Sequence, residues 1–140
     1  MSNVIDTQSI ALQNSLSETS RLSDFLASCA KKFQLPEETY NDLRLVLEEA
    51  FVNIVSYAFV ENDTQTITID ISNAAGVISI TLSDKGFAFD PLSDPVDCLS
   101  SDDHCEGGMG IHIIRSLTDH QQYQRVAQSN VFTVTKHYTK

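Results

Sequence analysis

The chain has few basic residues, and its excess of negative charge limits what it can bind. Of its 140 residues only 9 are Lys or Arg, against 19 Asp or Glu, so the formal net charge is −10. The longest basic run is the pair Lys31 and Lys32, whereas a nucleic-acid-binding protein needs a basic patch that displaces counterions. We therefore expect no direct contact with DNA or RNA. An acidic surface keeps the protein soluble and favours a basic partner.

Long apolar runs and paired cysteines are also missing. The apolar runs are much shorter than the roughly 20 residues that cross a bilayer, and the polar N-terminus has no signal-peptide pattern. The three cysteines, Cys29, Cys98 and Cys105, are odd in number and show no close pairing, as expected of free thiols in a reducing cytoplasm. His104 lies beside Cys105, but no fourth soft ligand is near and the spacing fits no common zinc site. A cytoplasmic protein without a membrane segment is expected.

Hydrophobic spacing predicts the secondary structure of one domain over residues 1–140. Apolar residues recur at helical intervals most regularly over 43–58, and they alternate with polar residues over 67–71 and 78–82, which indicates a β-hairpin. The expected helices are about 17–33 (capped by Ser17, or by Thr19 or Ser20), a helix that starts near Pro36 and carries the 43–58 pattern, and 110 to about 117. The other expected strands are a weak one over 3–12 and two final strands, 123–127 and 131–138, with Ser129 and Asn130 between them. Residues 83–106 are expected to form a long loop.

This order of elements predicts an α+β fold. A mostly antiparallel sheet with about three helices on one face is a two-layer α/β sandwich, because each amphipathic element must bury its apolar side against another.

The stretch LEEAFVN, residues 47–53, combines polar and apolar residues on the strongest helix. Glu49 and Asn53 are four residues apart and so share a helix face, at the margin of the apolar stripe. A carboxylate there can act as a general base, and an amide oxygen is a hard ligand that suits Mg²⁺. An ordinary polar helix flank is the alternative interpretation.

The stretch SDKGFAFDP, residues 83–91, begins where a strand ends. An ionised Asp84 can accept hydrogen bonds from an exocyclic amine such as that of adenine. Gly86 has no Cβ and so allows the backbone to come close to a flat ligand. A simple turn after a strand is the alternative.

Glycine is scarce, with five in the whole chain, yet Gly107, Gly108 and Gly110 stand together in front of a helix. Unblocked N–H groups at a helix N-terminus bind phosphate. The segment is not a P-loop, because the Lys and Ser or Thr of that motif are missing, and Ile113 stands where a Rossmann loop needs its third glycine. A flexible hinge is the alternative. Taken together, the three stretches have the layout of a nucleotide site without a P-loop.

The three stretches resemble a known superfamily. EEAFVNIVSYAF resembles the N box of the GHKL ATPases, SDKGFAFDP the first glycine box, and EGGMGIHIIRSL the second. The resemblance covers roughly residues 36–138 and is strongest to the anti-sigma-factor branch, the small serine/threonine kinases of bacterial partner switching. It implies a Bergerat-type sandwich that binds ATP and Mg²⁺.

Transferred by position, the resemblance also implies residue roles and partners. Glu49 would be the catalytic base, Asn53 the magnesium ligand and Asp84 the acceptor of the adenine amine. Gly86 would allow the base to approach, Gly107, Gly108 and Gly110 would contact the phosphates, and residues 91–106 would form the ATP lid. Members of this branch bind a sigma factor and phosphorylate a serine or threonine of its antagonist protein. A homodimer is suggested by the resemblance alone.

Two other functions stay open at this stage. The expected lid carries five acidic residues and no Lys or Arg, which would repel a triphosphate and suggests a protein-binding module of the same fold with weak or no kinase activity. The catalytic domain of a histidine kinase is a third candidate, disfavoured because all four histidines lie late in the chain, outside any long helical pattern.

Overall fold

An antiparallel sheet carries the helices on one of its faces in the computed structural model, which describes residues 5–60, 63–92 and 106–139. The five strands of this described part have the spatial order β1-β2-β3-β5-β4. Their bounds are β1 Asp6–Gln13, β2 Thr66–Ala74, β3 Val77–Asp84, β4 His120–Val126 and β5 Ser129–His137. The helices are α1 Thr19–Phe33, α2 Glu37–Tyr57 and α3 Glu106–Leu117. The predicted α+β sandwich is confirmed.

Alternating burial along the strands divides the sheet into an inner and an outer face. Over residues 67–71 of β2 and along β3, every second residue is buried, and the residues between them are partly exposed. Successive side chains of a strand point to opposite faces, so the isoleucine-rich series faces the helices. The apolar side chains buried on the inner face of β2, β3 and β5 are Ile67, Ile69, Ile71, Ile78, Ile80, Leu82, Phe132 and Val134.

The helix α2 supplies the largest part of the core on the helical side. It follows Pro36, whose φ of −58° suits the start of a helix, and Glu37 and Glu38 lie near the positive end of its dipole. Its apolar stripe is buried against the sheet and α1, at Leu43, Val46, Leu47, Ala50, Phe51 and Ile54. No helix of the described residues is long and apolar enough to cross a membrane.

The start of the first helix differs from the prediction. A short 3₁₀ turn, Leu16–Glu18, precedes α1, and the side chain of Ser15 accepts a hydrogen bond from the backbone N–H of Ser17 at 3.2 Å. The predicted caps at Ser17, Thr19 or Ser20 are therefore wrong. The 3₁₀ turn shifts the capping position upstream, because its first N–H groups also need an acceptor.

The last hairpin also differs from the prediction, and the difference matters for the site. The turn consists of Ala127 and Gln128, with φ values of 49° and 69°, and not of Ser129 and Asn130. The strand β5 therefore begins two residues earlier than expected. Asn130 lies inside it, paired with Asp84 of β3.

The third helix begins earlier than predicted, at Glu106. Gly107 and Gly108 consequently lie in its first turn and not in the preceding loop. Residues 93–105, which include most of the expected ATP lid together with Cys98, His104 and Cys105, lie outside the described residues.

Candidate functional site

Two helices bring Glu49, Asn53 and Gly110 together. Gly110 is the fifth residue of α3 and is buried. A methyl group added to it would lie 2.5 Å from Oε2 of Glu49 and 3.2 Å from Nδ2 of Asn53. Asn53 is itself buried, with 7% of its surface exposed, whereas Glu49 is partly exposed. The absence of a side chain at Gly110 thus allows α3 to lie against the carboxylate and the amide of α2.

The N-terminus of α3 lies near this contact and contributes backbone N–H groups. The first four N–H groups of an α-helix have no partner within the helix. Since α3 begins at Glu106, those groups include the amides of Gly107 and Gly108. The helix dipole adds a partial positive charge at the same end. This combination of N–H groups and positive potential suits an anion.

A second cluster lies at the end of β3, around Asp84. This carboxylate is buried, with 3% of its surface exposed. Its Oδ1 accepts hydrogen bonds from the backbone N–H of Gly86 at 2.8 Å and from Nδ2 of Asn130 at 2.9 Å. Its Oδ2 has no partner, and no other buried side-chain oxygen or nitrogen of the described residues is in that state. A buried, unpaired oxygen costs free energy, so this atom is suited to a ligand that brings a donor.

Gly86 joins this cluster to the C-terminal end of α2. A methyl group on Gly86 would lie only 2.1 Å from the carbonyl oxygen of Ala58. The backbone N–H of Phe87 donates to that same oxygen at 2.6 Å. The backbone contact with Ala58 is thus one reason for glycine at this position, and the predicted approach of a nucleobase stays a prediction.

The helix α2 connects the two clusters. Asn53 and Ala58 are five residues apart on or directly after α2, which corresponds to about 7.5 Å along a helix axis. Asp84 and Gly86 are therefore anchored beside the end of the same helix that carries Glu49 and Asn53. The structure therefore places residues of all three sequence stretches along the C-terminal half of α2.

Sequence reasoning missed Asn130, which organises the Asp84 cluster. Its Nδ2 donates to Oδ1 of Asp84 and, at 2.7 Å, to the carbonyl oxygen of Phe87. Its Oδ1 accepts from the backbone N–H of Phe89 at 3.1 Å and from the hydroxyl of Tyr123. The alternation of Asn130 with Phe132 and Val134, which are both buried, is the signal that could have placed it on the inner face.

The other carboxylates of α2 have different neighbours. Asp42 lies 3.4 Å from Nζ of Lys136, which also donates to the carbonyl oxygen of Leu117 at 2.8 Å. Glu48 accepts from the hydroxyl of Ser23 on α1 at 3.4 Å. These contacts tie α2 to its neighbours and leave Glu49 as the carboxylate beside Gly110. No group of three His, Cys, Asp or Glu residues within the described part of the chain forms a metal cluster.

Comparison with known proteins gives the family. The sequence model of the histidine kinase-like ATPase domain family matches residues 12–136. The serine/threonine-protein kinase BtrW of Bordetella bronchiseptica is 35% identical over 98 residues, which are 68% of this chain and 68% of that protein. The serine-protein kinase RsbW of Oceanobacillus iheyensis is 29% identical over 105 residues, 67% of this chain and 63% of that protein.

The aligned part of each relative is thus about two thirds of its length. The family match covers the N-box helix and both glycine segments, and it confirms the resemblance seen in the sequence. The chain belongs to the histidine kinase-like ATPase domain family.

Proposed function

We propose that the chain is a protein serine/threonine kinase that uses ATP and Mg²⁺ and acts in partner switching. The observation that carries the proposal is the contact of Gly110 with Glu49 and Asn53. It joins a candidate base and a candidate magnesium ligand to a helix N-terminus that suits phosphate. The names of both relatives, which describe protein kinases, support the same reaction.

The residues at the site fit a nucleotide. Asp84 Oδ2, buried and without a partner, would accept a hydrogen bond from the amine of adenine. The amides of Gly107 and Gly108, with Gly110 behind them, would hold the phosphates, and the side-chain oxygen of Asn53 would hold Mg²⁺. ATP supplies the phosphoryl group, and Mg²⁺ neutralises its charge.

Glu49 performs the proton transfer in this proposal. Phosphoryl transfer depends mainly on positioning and on charge neutralisation, with a carboxylate that assists the attacking hydroxyl. Oε2 of Glu49 would take the proton of a serine or threonine hydroxyl on the substrate protein as the hydroxyl oxygen bonds to the γ-phosphorus. The bond from that phosphorus to the oxygen that bridges it to the β-phosphate would break, and ADP would leave. The lack of a side chain at Gly110 lets this carboxylate lie beside α3, near the helix end that is proposed to bind phosphate.

The substrate is proposed to be the antagonist of a sigma factor or of a similar regulator, and the regulator itself is the second partner. The net charge of −10 favours a partner with a basic surface. The same proposal includes a single domain over residues 1–140 with an ATP lid over 91–106. It also includes a cytoplasmic location and a homodimer.

Incubation with γ-labelled ATP and with candidate antagonist proteins encoded near its gene tests the proposal. The unaltered chain should transfer label to a serine or threonine of one of them. Glu49→Gln should reduce transfer by about 100-fold or more and leave Mg-ATP affinity nearly unchanged. Glu48→Gln, on the side of α2 that faces Ser23, is the matched control and should transfer normally. Full transfer by Glu49→Gln would refute the assigned base.

A protein-binding module without kinase activity is the second candidate. The acidic residues and the lack of Lys and Arg over residues 91–106 favour it. Calorimetry and thermal melting with Mg-ATP separate the two candidates, because a ligand that binds the native state raises its stability. The absence of both heat and stabilisation would support the module.

A further inference from the structure

The hydrogen bonds of Asn130 use its full capacity. A side-chain amide has two N–H donors and an oxygen with two acceptor positions. Its two N–H groups donate to Oδ1 of Asp84 and to the carbonyl oxygen of Phe87. Its oxygen accepts from the backbone N–H of Phe89 and from the hydroxyl of Tyr123. Asn130 therefore has no group left for a ligand, and any effect on a ligand passes through its partners, of which Asp84 carries the unpaired oxygen.

The partners also fix which way the Asn130 amide points. The backbone N–H of Phe89 can only donate, so it requires the amide oxygen. The carbonyl of Phe87 can only accept, so it requires the amide nitrogen. The nitrogen is thereby directed at Oδ1 of Asp84 at 2.9 Å. A reversed amide would lose its bonds to Phe89, Phe87 and Asp84 in a buried place, where unmade hydrogen bonds are costly.

The two oxygens of Asp84 consequently have different roles. Oδ1 is held by two donors, the N–H of Gly86 and the Nδ2 of Asn130. Oδ2 is buried and has no partner. The carboxylate thus offers one fixed acceptor, which suits one donor on the ligand. A purine with an amine at position 6 brings such a donor, whereas a 6-oxo purine brings an acceptor to the same place.

We propose that Asn130 is the positioning residue that makes the site selective for 6-amino purines, by holding Asp84 with Oδ2 facing the nucleobase. This inference rests on the proposed function, since it requires a nucleotide at Asp84. It also predicts how a changed side chain at 84 is oriented. In Asp84→Asn, the amide oxygen should take the position of Oδ1, because the Gly86 N–H and Asn130 Nδ2 both donate there. The amide nitrogen would then take the position of Oδ2 and point to the ligand.

The test compares ADP with inosine diphosphate, which carries oxygen in place of the 6-amino group. Calorimetry on the full chain should give tighter binding of ADP by about tenfold or more, the usual worth of a hydrogen bond to a charged group. Asp84→Asn should reverse this order and favour inosine diphosphate. Adding Asn130→Ser to Asp84→Asn should weaken the reversal, because the backbone N–H of Gly86 is then the one remaining donor that orients the amide at 84.

Asn73→Ser is the matched control for the serine substitution. Asn73, on β2, also accepts a hydrogen bond from a tyrosine hydroxyl, that of Tyr138 at 2.6 Å, but it lies away from Asp84. In the Asp84→Asn background it should leave the preference for inosine diphosphate intact. A loss of stability alone would weaken both nucleotides together, so the ratio of the two affinities separates positioning from folding.

Each outcome decides the inference. An Asp84→Asn variant that still prefers ADP overturns it, as does a reversal that is equally strong after Asn130→Ser. If Asn130→Ser does not fold, Tyr123→Phe, which removes one hydroxyl from Asn130, replaces it and should reduce the reversal. Binding of neither nucleotide by the unaltered chain would overturn this inference and the proposed ATP site together. Selective ADP binding without transfer of label would leave the inference standing and refute the kinase.

Discussion

Gly110 of α3 lies directly against the carboxylate of Glu49 on α2, so that a methyl group on the glycine would be 2.5 Å from Oε2. The same methyl group would lie 3.2 Å from Nδ2 of Asn53. The position of the candidate base is thus set by a contact between two helices and not by a flexible loop. A small change at this contact should affect the chemistry more than the fold.

Gly110→Ala should leave stability almost unchanged and strongly reduce phosphoryl transfer. The added methyl group meets the end of the Glu49 side chain, which can move, and alanine is favoured over glycine in a helix by about 1 kcal/mol. The displaced carboxylate should lower the transfer rate by about 100-fold, the usual effect of a misplacement of about 1 Å. Thermal melting and the labelled-ATP assay measure the two effects.

Gly76→Ala provides the opposite pattern and is the control for this prediction. Gly76 has a φ of 85° in the β2–β3 turn, and a methyl group there would lie 3.2 Å from the Tyr138 carbonyl oxygen. This variant should lose about 1–2 kcal/mol of stability and transfer normally when folded. Normal transfer by Gly110→Ala, or a large loss of stability in it, would contradict the role given to the contact.

Gly86→Ala should lose both stability and nucleotide binding. Its methyl group would lie 2.1 Å from the Ala58 carbonyl oxygen and 3.0 Å from Oδ1 of Asp84. Because Ala58 presents backbone, the turn itself has to move, at a cost of about 1–3 kcal/mol, and Asp84 moves with it. Urea unfolding and Mg-ATP calorimetry check this; wild-type values in both would show that the turn does not need glycine.

Burial of Cys29 predicts a loss of stability at high pH. Desolvation raises the pKa of this thiol to about 11, so the folded chain holds the proton more tightly than the unfolded one. The contribution is complete below the thiol pKa of the unfolded chain, about 8.5, and is lost as the pH rises towards 11. Cys29→Val, a small apolar replacement, should lack this loss.

The measurement for Cys29 is the free energy of unfolding in urea at about pH 8 and about pH 10.5, in the unaltered chain and in Cys29→Val. Other groups titrate in both proteins, so the difference between the two losses isolates the thiol. It should be on the order of 2 kcal/mol. Equal losses in the two proteins would show that Cys29 is not protected from ionisation.

Features that depend on local spacing could be predicted from the sequence. The alternation around Ile69 and Ile80 gave the central hairpin, and the helical pattern from Leu43 gave α2. Glu49 and Asn53 could be paired because four residues make about one helical turn. The contact of these two residues with α3 is tertiary, and only the order of the three stretches hinted at it.

Features that depend on pairing between distant segments could not be predicted. Ser129 and Asn130 are typical turn residues, but the turn formed at Ala127 and Gln128, and the register of β5 with β3 placed Asn130 opposite Asp84. An inward-facing asparagine is stable there only because its partners come from three other segments. The turn preference of Ser129 and Asn130 was thus outweighed by hydrogen bonds between distant segments, which form only when the chain folds.

The most direct test of the central claim, that one nucleotide joins both clusters, is a crystal structure with Mg²⁺ and a nonhydrolysable ATP analogue. The account predicts the 6-amino group within hydrogen-bond distance of Asp84 Oδ2, Mg²⁺ on Asn53, and the γ-phosphate between the start of α3 and Glu49. An analogue bound elsewhere, with Asp84 Oδ2 still unpaired and Glu49 far from the phosphates, would contradict it.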